Sequence, residues 1–305
     1  MKEIGRVLTQ KPRRYLGIEL AGAKSARTAV AALEYYPREK KIFLLDIFDR
    51  IAASEEHSSD ESLIEILNEM GAGAAGIGVN VAFELPPCIA CTRKTCPLPA
   101  KCTVPAVKWM RELKKKVAPK TSPLAGPKRE DGTLPQRVAR GRDFTPYTQR
   151  PVELYIRHKI LEQLPEPAQF DIDESLGGSR AALTARMHFL SRHLPVGVTC
   201  FETWPKLTIG ALSERLHFSR RTLHAWRKPE EGAHARSDIL DKITEALGVF
   251  IYERDQRKLA QSLAAFDAFL CALTAQLADN GLCARPPAGF PSATGWVHFP
   301  VEGQS

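Results

Sequence analysis

The sequence predicts an α/β fold, a mixed sheet covered by helices, and three observations carry that expectation. Residues 15–51 hold three strand-like runs joined by short polar turns. Two further strand-like runs, at 74–83 and 196–205, each follow a stretch with apolar residues at helical spacing. A long apolar helical stretch, 259–277, closes the set. Adjacent strands, then strands alternating with helices, describe a sheet that begins antiparallel and goes on parallel.

Each element has its own signal. "YLGIEL" (15–20) is a short apolar strand, and "RTAVAALEYYP" and "KKIFLLDIFDRI" form a hairpin around the polar "PREKK". "SSDESLIEILNEMG" is an amphipathic helix that Ser59 can cap and Gly71 stops. "AAGIGVNVAF" is a buried fourth strand ending near Asn80. "RPVELYIRHKILEQL" and "GSRAALTARMHFLSRHL" are helices, and "VGVTCFETWP" is the fifth strand. Residues 206–250 read as short polar helices, 259–277 as one long helix carrying Asp267, and "GWVHFP" as an edge strand. The order β-β-β-α-β, α-β, α is the ribonuclease H-like order. It predicts one domain over 1–305, with a Cys-rich basic insertion after the fourth strand (86–150) and a helical insertion (206–250).

Composition excludes some classes. A content of 44% hydrophobic and 26% charged residues is that of an ordinary globular chain. No run reaches the roughly 18 apolar residues of a membrane span, so no membrane partner is expected. No apolar region follows the basic N-terminus, so a cytoplasmic location is expected. The net charge of +8 concentrates in "KWMRELKKKVAPK" (108–120) and "PKREDGTLPQRVARGR" (127–142). Such blocks suit a polyphosphate backbone, which makes nucleic acid the expected partner, or else form a solvated basic face.

Four of the seven cysteines, Cys88, Cys91, Cys96 and Cys102, lie within one short segment. The spacing CxxC-x4-C-x5-C supplies the four thiolates that zinc takes tetrahedrally, and a 4Fe-4S cluster takes the same set. Zinc or iron–sulfur is therefore expected there, in a structural role. Cys200, Cys271 and Cys283 stand in apolar surroundings and read as small core residues.

Carboxylates mark the other site. Glu19 ends the first strand, Glu202 ends the fifth, and Asp267 interrupts the last helix. In the strand order above these element ends converge, and carboxylates there can hold Mg²⁺ or Mn²⁺ for work on a phosphodiester. Lys24 and Arg27, just after the first strand, are candidates to neutralise a phosphate, or simply a solvated turn. Arg186 is expected to pair with Glu202.

"GIELAGAKSARTA", "VNVAFELPPC", "FETWP", "FDAFLCALTA" and "GWVHFP" together resemble the DUF429 family, described as predicted nucleases of the ribonuclease H fold. The resemblance runs from about Tyr15 to Pro300 and places the family's acidic positions on Glu19, Glu202 and Asp267. It also implies an Asp where this chain has Asn80, a neutral ligand without charge. Glu84 can compensate only if its loop bends back.

The expected function is thus a divalent-metal-dependent nuclease, or another phosphodiester-processing enzyme, acting on DNA or RNA. Asn80 and the basic insertion favour an alternative, a catalytically weakened nucleic-acid-binding protein. A small-molecule phosphotransferase of actin-like type shares the opening strand and turn, but such proteins repeat the core and this chain has one copy. "LSERLHFSRRTLHAWRK" (212–228) has a helix-turn-helix flavour as well as the plainer reading of packed helices. His188, His193 and His298 read as packing or surface residues.

Overall fold

The computed structural model describes residues 11–116, 144–228 and 231–301. The basic block 127–142 and the end of 108–120 lie outside the described residues. The architecture is a mixed α/β fold built on a seven-stranded sheet. Its strands are β1 (Arg13–Glu19), β2 (Thr28–Tyr36), β3 (Lys41–Ile51), β4 (Gly76–Val79), β5 (Thr199–Thr203), β6 (Val249–Phe250) and β7 (Val297–His298). They lie in the order β6-β3-β2-β1-β4-β5-β7. β1, β2 and β3 are antiparallel neighbours, while β4 joins β1 in parallel and β5 joins β4 likewise. β7 pairs with β5 at one edge, as expected for "GWVHFP".

Helices cover both faces. One face holds α1 (Ser59–Gly71) and α5 (Arg180–Leu190), packed on Leu16, Ile18, Val30 and Ala32. The other holds α10 (Leu263–Asp279) and α8 (Gly232–Leu247), packed on Ala29, Ala31 and Leu33. Successive residues of β2 therefore enter opposite cores, which is why its sequence is apolar throughout instead of alternating. The remaining α-helices among the described residues are α2 (Leu98–Lys101), α3 (Pro105–Lys116), α4 (Pro151–Tyr155), α6 (Pro205–Leu212), α7 (Arg220–Ala225) and α9 (Glu253–Gln261). Among the described residues no single helix is long and apolar enough to cross a membrane.

Three expectations need correction. The N-cap of α1 is Ser58, whose side chain and Glu61 form a reciprocal capping box. The long helix expected over 259–277 is two helices, α9 and α10, bent by 113° at their junction. Ser262 sits at the break, and its hydroxyl accepts from the Ala265 N–H to start α10. Nor are the helices of 206–250 uniformly short and polar: α6 is mostly buried, and α8 runs for 16 residues.

The helix-turn-helix-like segment packs inward. Leu216, Phe218, Leu223 and Trp226 all join the core beneath α8.

Candidate active site

The site is set by how α10 lies on the sheet. Tyr15, Gly17 and Glu19 share one face of β1. Tyr15 donates its hydroxyl to Asp279 at the end of α10 (2.6 Å) and packs against Ala275. A Cβ on Gly17 would lie 2.0 Å from the Ala268 carbonyl oxygen, so strand and helix meet backbone to backbone there. One residue earlier in α10, Asp267 faces the end of β1. It is near enough that its charge raises the proton affinity of Glu19. Both side chains line the same two cavities.

Asp267 is buried, only 2% exposed, and Glu19 is partly buried beside it. Arg227, just after α7, donates to both Asp267 oxygens (3.2 and 2.9 Å) and lies over the Trp226 ring. Glu19 is less well matched, since its Oε2 is buried with no hydrogen-bond partner. Burial, then the Asp267 charge, push the Glu19 carboxyl well above its ordinary value of 4.5. Burial also raises Asp267, against the pull of Arg227.

Asn80 follows β4 directly. Its Oδ1 accepts from the Leu20 N–H (2.9 Å) and its carbonyl accepts from Arg180 (2.7 Å). It thereby ties the ends of β1 and β4 together while lining the smaller cavity. Glu84 lies beside Gly295 and Arg150 and lines neither cavity.

The smaller cavity, ≈ 60 Å³, is framed by Glu19, Asp267 and Asn80 with Arg180, Lys206 and Arg227, and closed by the Phe170–Asp173 segment and Trp204. Burial, then the Arg227 charge, lower the proton affinity of Lys206. The larger cleft, ≈ 650 Å³, opens on the other side of the same carboxylates. Arg27, Arg50, Arg227 and Lys228 line it, with Asp49 as a further carboxylate. Lys24 is exposed on the β1–β2 turn and does not line the cleft.

Glu202 corrects the expected carboxylate set. It sits at the end of β5 with both oxygens engaged by Arg150, Nη1 to Oε2 at 2.7 Å and Nη2 to Oε1 at 2.6 Å. Trp204 adds an indole N–H to Oε1 (3.1 Å). Arg150 also donates to Glu153 (2.9 Å), and all three charged residues are buried. Glu202 is therefore the anchor of an internal ion triplet and lines neither cavity. Arg186 does not reach it; its guanidinium is held by Asp60, Thr28 and the Ala21 carbonyl.

Among the described residues no three His, Cys, Asp or Glu side chains converge closely enough to form a ready metal cage. That holds for the cysteine segment too, where Cys88 is half-buried, Cys102 buried, and Cys91 and Cys96 exposed.

Sequence reasoning missed Arg150, Arg180, Lys206 and Arg227. Arg227 was hidden within a basic run whose members look alike, and Arg150 stands alone before a proline with no local mark of its partner. Arg180 opens a helix and Lys206 follows a Trp-Pro turn, with no local mark of a site.

The raised Glu19 proton affinity has a stability consequence. The unfolded chain ionises Glu19 near 4.5, while the folded chain keeps the proton to higher pH. Between those points the folded state binds more protons, so stability falls as pH rises. Glu19→Gln should remove this loss. Its Tm should exceed the wild type at pH 8 by at least the ~2–4 °C that one kcal/mol is worth in a chain of a few hundred residues. At pH 4 the two proteins should melt together. Thermal denaturation across that range is the check, and a variant less stable at pH 8 would contradict the charge clash.

Residues 22–291 match the family DUF429, described as a protein of unknown function. No curated protein and no solved structure matches the chain.

Proposed function

The chain belongs to the DUF429 family, and we propose that it is a divalent-metal-dependent nuclease or related phosphodiester-processing enzyme with Glu19 and Asp267 at its centre. The observation that carries this reading is the pairing of a buried carboxylate, Asp267, with a partly buried one, Glu19, at the mouth of a cleft otherwise rich in arginine and lysine. Like charges held together away from water need a proton or a cation between them. The unpartnered Glu19 Oε2 is a vacant acceptor of the right kind, a hard oxygen. Mg²⁺ binds through one or two carboxylates plus substrate phosphate and water, so Glu19 and Asp267 suffice, with the neutral Asn80 carbonyl oxygen beside them.

A divalent cation there would supply Lewis-acid polarisation of the phosphate and an activated water. The chain's own groups do the rest. Glu19 gives up its proton when a cation binds, so metal affinity should rise with pH. Arg227 holds Asp267 in place and, with Lys206 and Arg180, presents positive charge to phosphate oxygens. Arg27, Arg50 and Lys228 extend that charge along the wide cleft, which suits a polyanionic backbone of DNA or RNA. Glu202 positions the wall of the small cavity through Trp204. The strand order β3-β2-β1-β4-β5 is that of ribonuclease H-like sheets and supports the same reading.

A second reading, nucleic-acid binding without cleavage, is favoured by one specific contact: Arg227 already neutralises Asp267. A panel of single- and double-stranded DNA and RNA, with Mg²⁺ or Mn²⁺, separates the two. Under the nuclease reading the wild type cleaves at least one substrate, chelation stops it, and Asp267→Asn lowers the rate by about 100-fold or more. Asn80→Asp keeps the acceptor for Leu20 and should match or exceed the wild type. Full-rate cleavage by Asp267→Asn would place the chemistry elsewhere. Salt-sensitive binding with no cleavage by wild type or Asn80→Asp would establish the second reading instead.

A further inference from the structure

We infer that Cys88, Cys91, Cys96 and Cys102 form one four-thiolate metal centre, zinc or iron–sulfur, that clamps the segment leading into Arg150. The first ground is that little else holds the segment: the Arg111 guanidinium donates to the Pro99 carbonyl (2.8 Å), and the Ile89 and Ala90 N–H groups turn back to Pro86. From residue 89 to 101 every residue but Pro99 is exposed, Ile89 and Leu98 among them. Regular structure there amounts to the four residues of α2. Leu98 takes a left-handed backbone (φ 66°), which a branched side chain rarely adopts. A stretch that buries so little apolar surface needs a cross-link or a metal to stay folded.

The second ground is placement. Cys88 and Cys102 are anchored at the two ends of the stretch. The Cys88 N–H donates to the Pro146 carbonyl (2.9 Å), and the Cys102 carbonyl accepts from Arg111 of α3 (3.0 Å). Cys91 and Cys96 are exposed between them, and all three other thiols lie within electrostatic reach of Cys88. Metal binding draws the two exposed thiols onto the two anchored ones. Four soft sulfurs at such short spacing select zinc or an iron–sulfur cluster over hard cations.

The third ground is where the anchors lead. Pro146 lies four residues before Arg150. On the other side, Met110 and Leu113 of α3 pack on Leu154 of α4, the helix that Arg150 caps. The centre therefore grips from two directions the chain that delivers the guanidinium to Glu202. This inference does not depend on the nuclease reading.

The test uses the full chain purified under anaerobic, reducing conditions. Zinc, iron and acid-labile sulfide are quantified, and the visible spectrum is recorded. One zinc per chain and no colour indicates zinc; iron with sulfide and visible absorption indicates a cluster. Either supports the centre. If neither metal is found, Zn²⁺ is added to the metal-free protein and trypsin cleavage at Arg93, Lys94 and Lys101 is followed. Protection by zinc in the wild type, and none in a Cys91→Ser/Cys96→Ser variant, supports the centre. The two substituted thiols are exposed, so that variant should fold. Identical cleavage of the wild type with and without zinc overturns the inference, as does equal metal content in wild type and variant.

Discussion

Gly17→Ala should destabilise the protein by about 4–5 kcal/mol or prevent folding, more than overpacking usually costs. The added Cβ would sit 2.0 Å from the Ala268 carbonyl oxygen, 2.2 Å from the Ala272 nitrogen and 2.9 Å from the Ala272 Cα. All three are backbone atoms of α10, so no rotamer change relieves the clash. Either β1 moves, breaking its ladders with β2 and β4, or the helix lifts. Lifting it would uncover Phe266, Phe269 and Leu273 and carry Asp267 away from Glu19. Gly22→Ala is the control. Its Cβ meets nothing within 4 Å, and it should stay within about 0.5 kcal/mol of wild type. Chemical denaturation of the two variants gives the comparison. A Gly17→Ala protein within 1 kcal/mol of wild type, a roughly methylene-sized effect, would mean that the strand and helix do not touch as described.

The central strands β1, β2 and β4 were legible because they are buried on two faces, which writes them as continuous apolar runs, whereas β6 was lost within the stretch read as helices. Glu19 and Asp267 were legible for the same reason: a lone carboxylate inside such a run is costly unless something meets it. The bend before α10 was not legible by periodicity. Apolar residues continue from Leu259 through Leu263 and Phe266, so the pattern runs across the break. The available signal was Ser262, a capping residue at the point where the chain turns.

Glu202 shows a different limit. Its burial could be read from the strand, but its partner could not. Arg150 is 52 positions away, and a single sequence holds no record of which charge meets which. The cleft cations share that limit. Arg227 reads as one more member of "RRTLHAWRK" until the fold sets it against Asp267. Local chemistry thus announces which residues are unusual, while the pairing that decides their role is a property of topology.

Arg150 is where that pairing matters most, and Arg150→Met should cost about 3–5 kcal/mol. The arginine is 1% exposed and serves two buried carboxylates, Glu153 and Glu202. Burial works against its charge, yet the attraction of Glu202 and Glu153 more than offsets this and raises its proton affinity. Methionine fills much of the same volume, so the expected loss is electrostatic: two carboxylates remain in the interior with no cation. Arg150→Lys should recover only part of it, because a single ammonium cannot reproduce the paired bonds to Glu202 together with the bond to Glu153. The decisive comparison is Arg150→Met combined with Glu153→Gln and Glu202→Gln. With the uncompensated charge gone, the triple variant should be more stable than Arg150→Met alone. The pH profile adds a check that packing would not move. Arg150→Met should regain stability as pH falls and the two carboxylates take up protons, whereas the triple variant should lack that recovery. Equal stability of the single and triple variants at pH 7 would mean that the triplet holds the fold through shape alone.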